Sequence, residues 1–87
     1  MARADRRRAA ALLREGVWIL DHLDTSSVGT MRAQAARVAT IAVEVRAARL
    51  TDPRDLAAHL RLEAWADGFA ASETVYLLHH QAERRGR

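Results

Sequence analysis

The stretch TDPRD, residues 51–55, decides how this chain folds. Asp52 suits the N-cap of a helix, and Pro53 suits the first helical position, where its missing N–H costs nothing. Asp55 then lies near the helix N-terminus, where the dipole favours negative charge. No later proline interrupts the chain. This start therefore predicts a helix to about residue 83, with about 31 residues and a length of about 46 Å.

Two shorter helices are predicted before this long one. Apolar residues recur at helical spacing over about residues 5–23 and 28–50, and the polar run at residues 24–27 separates them. A serine in that run can cap the second helix. The second helix is apolar around most of its circumference, which predicts a central helix that is buried on more than one side.

Together these helices predict an all-α chain with a single domain over residues 1–87. The predicted architecture is an antiparallel three-helix bundle with a long C-terminal helix over residues 53–83 and a short basic tail at residues 84–87. Because the third helix is longer than its neighbours, it either bends, with Gly68 the natural place, or extends beyond them.

An apolar and aromatic strip follows one side of this third helix. Leu62, Trp65 and Phe69 recur at helical spacing, which is typical of core residues. Small residues run beside the strip and would let another helix approach closely. This small-residue seam consists of Ala64, Gly68 and Ala71.

The composition favours self-association. The chain has 87 residues, which is near the lower end of the sizes that fold alone with an ordinary core. It contains no cysteine, so disulfides and thiolate zinc sites are excluded. The apolar fraction of 49% is largely alanine and the aromatic fraction is 5%, so the core buries little area per residue. We therefore expect a homo-oligomer.

Apolar runs in the chain are short. The run at residues 9–13 is too short for the hydrophobic region of a signal peptide. No uncharged apolar run approaches the roughly 18 residues that a membrane-spanning helix needs. We expect a cytoplasmic protein that does not associate with membranes.

Trp18 is the residue that points most directly to a function. It lies beside Arg14 and His22 on the polar face of the first helix, nearly opposite the apolar face. Tryptophan and arginine are enriched at the energetic centres of protein interfaces. These three residues therefore predict a protein-binding surface, although Trp18 could instead cover part of the third helix.

A second protein-binding surface is predicted near the end of the third helix, where apolar side chains would extend past the neighbouring helices. Its residues are Tyr76, Leu77 and His80. The two surfaces together favour a small non-catalytic interaction or regulatory protein that acts by binding another protein.

Arginine clusters at both ends of the chain support an alternative, a nucleic-acid-associated protein. All 14 basic residues are arginine, and a guanidinium can bind phosphate through two hydrogen bonds. The formal net charge of +3 is modest for this function. The positive charge of the N-terminal cluster opposes the dipole of the first helix, whereas the dipole of the third helix favours the positive charge of the C-terminal cluster. The candidate phosphate-binding residues are Arg6, Arg7, Arg8, Arg84, Arg85 and Arg87.

Histidines raise the question of a metal site. His59 lies one turn from Glu63, but the carboxylate–x–x–His pattern of di-iron bundles is missing. The adjacent His79 and His80 diverge by about 100° on a helix and cannot face the same ion. We predict no metal and no cofactor. With no cysteine and no serine in an activating context, we also predict no catalytic residues and no enzymatic activity.

One remote enzymatic alternative rests on a resemblance. Arg37 and the TDPRD segment resemble, over about 20 residues, the motif of the all-helical bacterial chorismate mutases, an Arg on a long helix followed by Asp-Pro-x-Arg-Glu. These are small three-helix chains that dimerise by intertwining, so the resemblance implies a small helical enzyme of that kind. The chain departs from the pattern in three ways. The family's lysine has no counterpart, the spacing from Arg37 to Arg54 is shorter, and the break TSSVGT at residues 25–30 falls within the family's long helix.

Overall fold

The computed structural model describes the backbone of residues 2–85 and the side chains of residues 5–74 and 76. No strand occurs between residues 2 and 85, so the predicted all-α class is confirmed. In the same part of the chain, no helix is both long enough and apolar enough to cross a membrane. The three helices are α1 at Ala2–Asp21, α2 at Val28–Arg46 and α3 at Pro53–Arg85.

The predicted starts of α2 and α3 are confirmed. The hydroxyl of Ser27, the N-cap of α2, accepts a hydrogen bond from the Thr30 N–H at 3.0 Å. The Asp52 carboxylate accepts one from the Arg54 N–H at 2.8 Å, and Asp55 lies in the first turn of α3. These side chains satisfy backbone donors that the first turn of a helix leaves without partners.

The predicted end of α2, near Leu50, is wrong, because the helix ends at Arg46. The Ala48 N–H donates to the Val45 carbonyl, which tightens the last turn. The chain then turns so that Ala48 and Leu50 pack against the core. The apolar residues that lengthened the predicted helix therefore belong to the connection to α3 and pack against the core from there.

The bounds of α1 also differ from the prediction, since the helix begins at Ala2 and ends at Asp21 instead of Leu23. Asp24 explains the C-terminal end. Its carboxylate accepts from the Ser26 N–H at 2.9 Å, and the Gln34 side-chain amide binds the Asp24 N–H at 2.9 Å and its carbonyl at 2.8 Å. Local bonds of this kind compete with helix continuation.

The core lies where the three helices meet. Its largest fully buried side chains are Leu13 from α1, Leu62 from α3, and Val38, Ile41 and Val45 from α2. Leu62 packs against α1 at Gly16, where an added Cβ would lie 2.5 Å from Leu62 Cδ1. The absence of a side chain at residue 16 therefore allows α1 and α3 to approach closely at this point.

The aromatic residues of α3 continue from this core towards the C-terminal half of the helix. Trp65 is partly buried and packs against the core cluster. Phe69 stacks on Trp65, with ring centroids 5.5 Å apart. The small-residue seam is exposed instead of packed, and a Cβ at Gly68 would meet nothing within 4 Å. Helix α3 is continuous through Gly68.

Ion pairs connect the helices along their edges. As the residue numbers increase along α1, those of the paired residues on α2 decrease, and the same is true of the pairs between α2 and α3. All these pairs are at least partly exposed, so each is expected to contribute little to stability. They are Arg8–Glu44 and Arg37–Glu15 between α1 and α2, Arg46–Glu63 and Arg32–Glu73 between α2 and α3, and Arg61–Asp21 between α1 and α3.

The stability of the folded chain is expected to fall below about pH 5. Hydrogen bonding from Arg37 lowers the pKa of Glu15, and hydrogen bonding from Arg46 lowers the pKa of Glu63. Both pKa values are therefore lower in the folded than in the unfolded chain. The resulting stabilisation is complete above the unfolded value of about 4.3, and it is lost as the pH falls through the folded values.

Thermal unfolding between about pH 3 and pH 7 measures this dependence. Because the pairs are exposed, about 1 M salt should flatten it. The double variant with Arg37→Ala and Arg46→Ala is the matched control, and its melting temperature should change less on acidification than that of the wild type. Equal acid dependence in the two proteins would contradict the assignment to Glu15 and Glu63.

Candidate functional site

Trp18 lies on the solvent-facing side of α1, and its side chain is 61% exposed. His22, one turn later, stacks on it with ring centroids 4.4 Å apart and an angle of 17° between the planes. The His22 Nδ1–H donates to the Trp18 carbonyl oxygen at 2.9 Å, which orients the imidazole. The indole is thus supported by a neighbouring ring while most of its surface faces solvent.

A shallow cavity of about 330 Å³ lies beside this indole, between α1 and the first turns of α3. Arg14, Trp18 and His22 all line it, so the structure brings the three residues of the first predicted surface together. Apolar parts of its wall come from Leu13 and Ala58. The site therefore combines an apolar recess, an exposed indole and a guanidinium.

The charges around the cavity are unevenly compensated. Asp21 is paired with Arg61 at 2.8 Å. Asp55 lies at the start of α3, where the helix dipole partly offsets its charge. Within the described side chains, Arg14 forms no hydrogen bond or ion pair, and neither does Arg7, two turns earlier on the same face. The surface along α1 beside Trp18 therefore carries positive charge that the described residues do not neutralise.

Tyr76 is the member of the second predicted surface whose side chain is described, and it is 65% exposed. It lines a groove of about 680 Å³ between the start of α2 and α3, which we call the α2–α3 groove. Val28, Met31 and Phe69 provide the rest of its apolar lining. Arg32 and Glu73 also line it and form an ion pair at 3.2 Å, so these two charges neutralise each other.

Val28 and Met31 were not predicted as surface residues. Both belong to the apolar stripe of the second helix, and Val28 is 67% exposed. The position of Val28 could have indicated its exposure. It directly follows the polar break, and the first residue of a helix is covered on fewer sides than the residues in the middle.

The remaining predicted residues near the C-terminus cannot be placed in the same way. Leu77, His80, Arg84 and Arg85 belong to the helical backbone of α3, but their side chains lie outside the described residues. Arg87 lies outside the described backbone as well.

The N-terminal arginine cluster is partly engaged within the chain. Arg8 lies 3.6 Å from Glu44, and Arg6 also interacts with another residue. Arg7 is exposed. Phosphate binding by this cluster stays a prediction.

His59 holds α3 against α2. Its Nε2 lies 3.3 Å from Glu63 Oε1 and 3.2 Å from the Ala42 carbonyl oxygen. Glu63 is also bound by Arg46, so this carboxylate accepts from both helices. In the part of the chain that the structure describes, no three His, Cys, Asp or Glu residues are grouped as metal ligands would be.

No protein-family model matches this chain, and no curated protein or solved structure is significantly similar to it. The resemblance to the chorismate mutases therefore stays a prediction. Arg37, which carries part of that resemblance, is bound to Glu15, with Nη2 2.8 Å from Oε1. The function has to be inferred from the surfaces alone.

Proposed function

We propose that this chain is a small non-catalytic interaction protein, folded as an antiparallel three-helix bundle, that self-associates and binds another protein through the Trp18 surface. This surface consists of Trp18, His22, Arg14 and Arg7. The observation that carries the proposal is the exposed indole, held by His22 at the edge of a recess. An indole that served only to cover α3 would be expected to be largely buried.

Covering this indole would make a large contribution to binding for a single side chain. A tryptophan side chain buries about 150–250 Å², and burial stabilises by about 25 cal/mol per Å². Since 61% of the side chain is exposed, covering it would contribute about 2–4 kcal/mol to binding. This corresponds to a factor of about 30 to several hundred in Kd.

The charges indicate the chemistry of the partner. Arg14 lies one turn from Trp18, and Arg7 lies two turns further along the same face. A guanidinium binds carboxylates through two parallel hydrogen bonds. We therefore propose a partner segment that places an apolar side chain against Trp18 and carboxylates opposite the two arginines.

Trp18→Ala is expected to remove partner binding while leaving the melting temperature within a few degrees of the wild type, because most of the indole is already in water. Affinity capture from the native host, with quantitative mass spectrometry, measures the binding. Val43→Ala is the matched control, since Val43 is 59% exposed on α2 and should leave capture unchanged. Arg14→Glu should weaken capture through charge reversal.

Two results would contradict the proposal. One is that the wild type, Trp18→Ala and Val43→Ala capture the same proteins in the same amounts. The other is a large fall in melting temperature for Trp18→Ala, which would show that Trp18 stabilises the fold.

A further inference from the structure

The α2–α3 groove combines four apolar side chains from two helices around one recess. Val28 is 67% and Tyr76 65% exposed, and Met31 and Phe69 are partly exposed beside them. The Arg32–Glu73 pair at its edge is neutral as a unit. The groove therefore suits an apolar occupant and does not specify a charged one.

The backbone of α3 continues beyond this groove. Val28 is the first residue of α2, and it lines the groove together with Tyr76. Paired positions on α2 and α3 run in opposite order, from Arg46–Glu63 to Arg32–Glu73. Since α3 ends at Arg85, its last turns extend past the start of α2. The sequence of these turns contains the apolar pair Leu77 and Leu78.

The surface area of the chain is large for its mass. It exposes 6652 Å², whereas a compact monomer of 9.7 kDa exposes about 5100 Å². The radius of gyration is 15.9 Å, compared with about 12 Å for a compact chain of this length. The excess of about 1500 Å² per chain is more than the roughly 800 Å² that each partner buries in a stable protein interface of standard size.

We infer that the occupant of the α2–α3 groove is a second copy of this chain. Two copies pack end to end about a two-fold axis, and the extended part of α3 from each copy covers the groove of the other. One chain supplies both the groove and the extended helix end, whose sequence includes Leu77 and Leu78, as a two-fold interface requires. This inference deepens the self-association in the proposed function and is independent of the Trp18 surface.

Val28→Glu tests the inference because it should leave the monomer folded. The side chain is exposed at the first position of α2, where the helix dipole favours a carboxylate, and Arg32 lies one turn away to pair with it. In the dimer the same carboxylate would be covered in an apolar groove. We expect the dimer Kd to rise by about 100-fold or more.

Leu60→Glu is the matched control, because Leu60 is also 65% exposed and lies on α3 without lining the groove. Sedimentation equilibrium from micromolar to millimolar concentration gives the dimer Kd of each protein, and circular dichroism gives its helicity. The expected result is a dimeric wild type, a dimeric Leu60→Glu and a monomeric, helical Val28→Glu. If Val28→Glu loses helicity, Tyr76→Glu takes its place with the same expectation.

The other outcomes overturn the inference in distinguishable ways. A wild type that remains monomeric throughout removes both the self-association and the groove interface. If Val28→Glu and Tyr76→Glu are folded and dimerise with the same Kd as the wild type, the chain self-associates but its interface lies elsewhere. If only Leu60→Glu loses the dimer, the interface lies on the exposed side of α3 that carries Leu60. In each of these cases the Trp18 proposal is left to its own capture experiment.

Discussion

Leu62→Ala is expected to lower the free energy of unfolding by about 2–5 kcal/mol, the largest stability change proposed for this chain. Leu62 is fully buried and is packed with Leu13, Val38 and Ile41 in the same core cluster. Truncation removes apolar contacts and leaves a cavity where three helices meet, so no single helix can move to fill it without disturbing the other two. The melting temperature should fall by about 10 °C or more.

Leu60→Ala provides the control for this prediction. The same substitution two residues earlier on α3 removes the same atoms from a side chain that is 65% exposed. Its effect should stay within about 0.5 kcal/mol. Both variants are compared with the wild type by denaturant unfolding at one protein concentration, since self-association adds to apparent stability. Similar losses in the two variants would mean that Leu62 is not central to the core.

Gly16→Val is expected to lower the free energy of unfolding by about 1–3 kcal/mol through overpacking. A Cβ at this position would lie 2.5 Å from Leu62 Cδ1 and 3.1 Å from Cδ2. The end of a leucine side chain can normally rotate away, but Leu62 is fully buried and has no free space to enter. The substitution therefore forces α1 away from α3.

Gly68→Val makes the same change inside α3, where a Cβ would meet nothing within 4 Å. Valine is a better helix former than glycine, so this variant should be unchanged or more stable by a few tenths of a kcal/mol. Denaturant unfolding of the two variants should therefore give changes of different size and sign. If Gly16→Val is as stable as Gly68→Val, the close approach of α1 and α3 at Gly16 is not a constraint on the fold.

Gly16 and Leu62 also show where sequence reasoning reached its limit. The spacing predicts Leu62 as a core residue of α3, and the structure buries both Leu62 and Gly16. Their mutual contact was not predicted, because they lie in different helices. Periodicity identifies the side of a helix that is buried, but it does not identify which residue of another helix meets it.

The two candidate surfaces also differ in how far the sequence predicts them. The sequence places Trp18 opposite the apolar face of α1 but leaves open whether it covers α3, and in the structure it is 61% exposed. The sequence did not predict the α2–α3 groove, because Val28 and Met31 belong to the same apolar stripe as the core residues of α2. Their exposure arises from their place at the end of α2, next to a longer α3. The small-residue seam was assigned to packing from its composition, and the structure leaves it exposed.

The sequence by itself determined the helical class, the helix starts at Val28 and Pro53, and the side of α1 on which Trp18 lies. Each depends on interactions within about one helical turn, and therefore on residues that are close together in the sequence. Only the tertiary structure decided that α2 ends at Arg46, that Leu62 meets Gly16, and that a groove remains beside Tyr76. Those features depend on how far each helix extends past the others and on which side chains meet between them. Such contacts join residues far apart in the chain, and no local pattern encodes them.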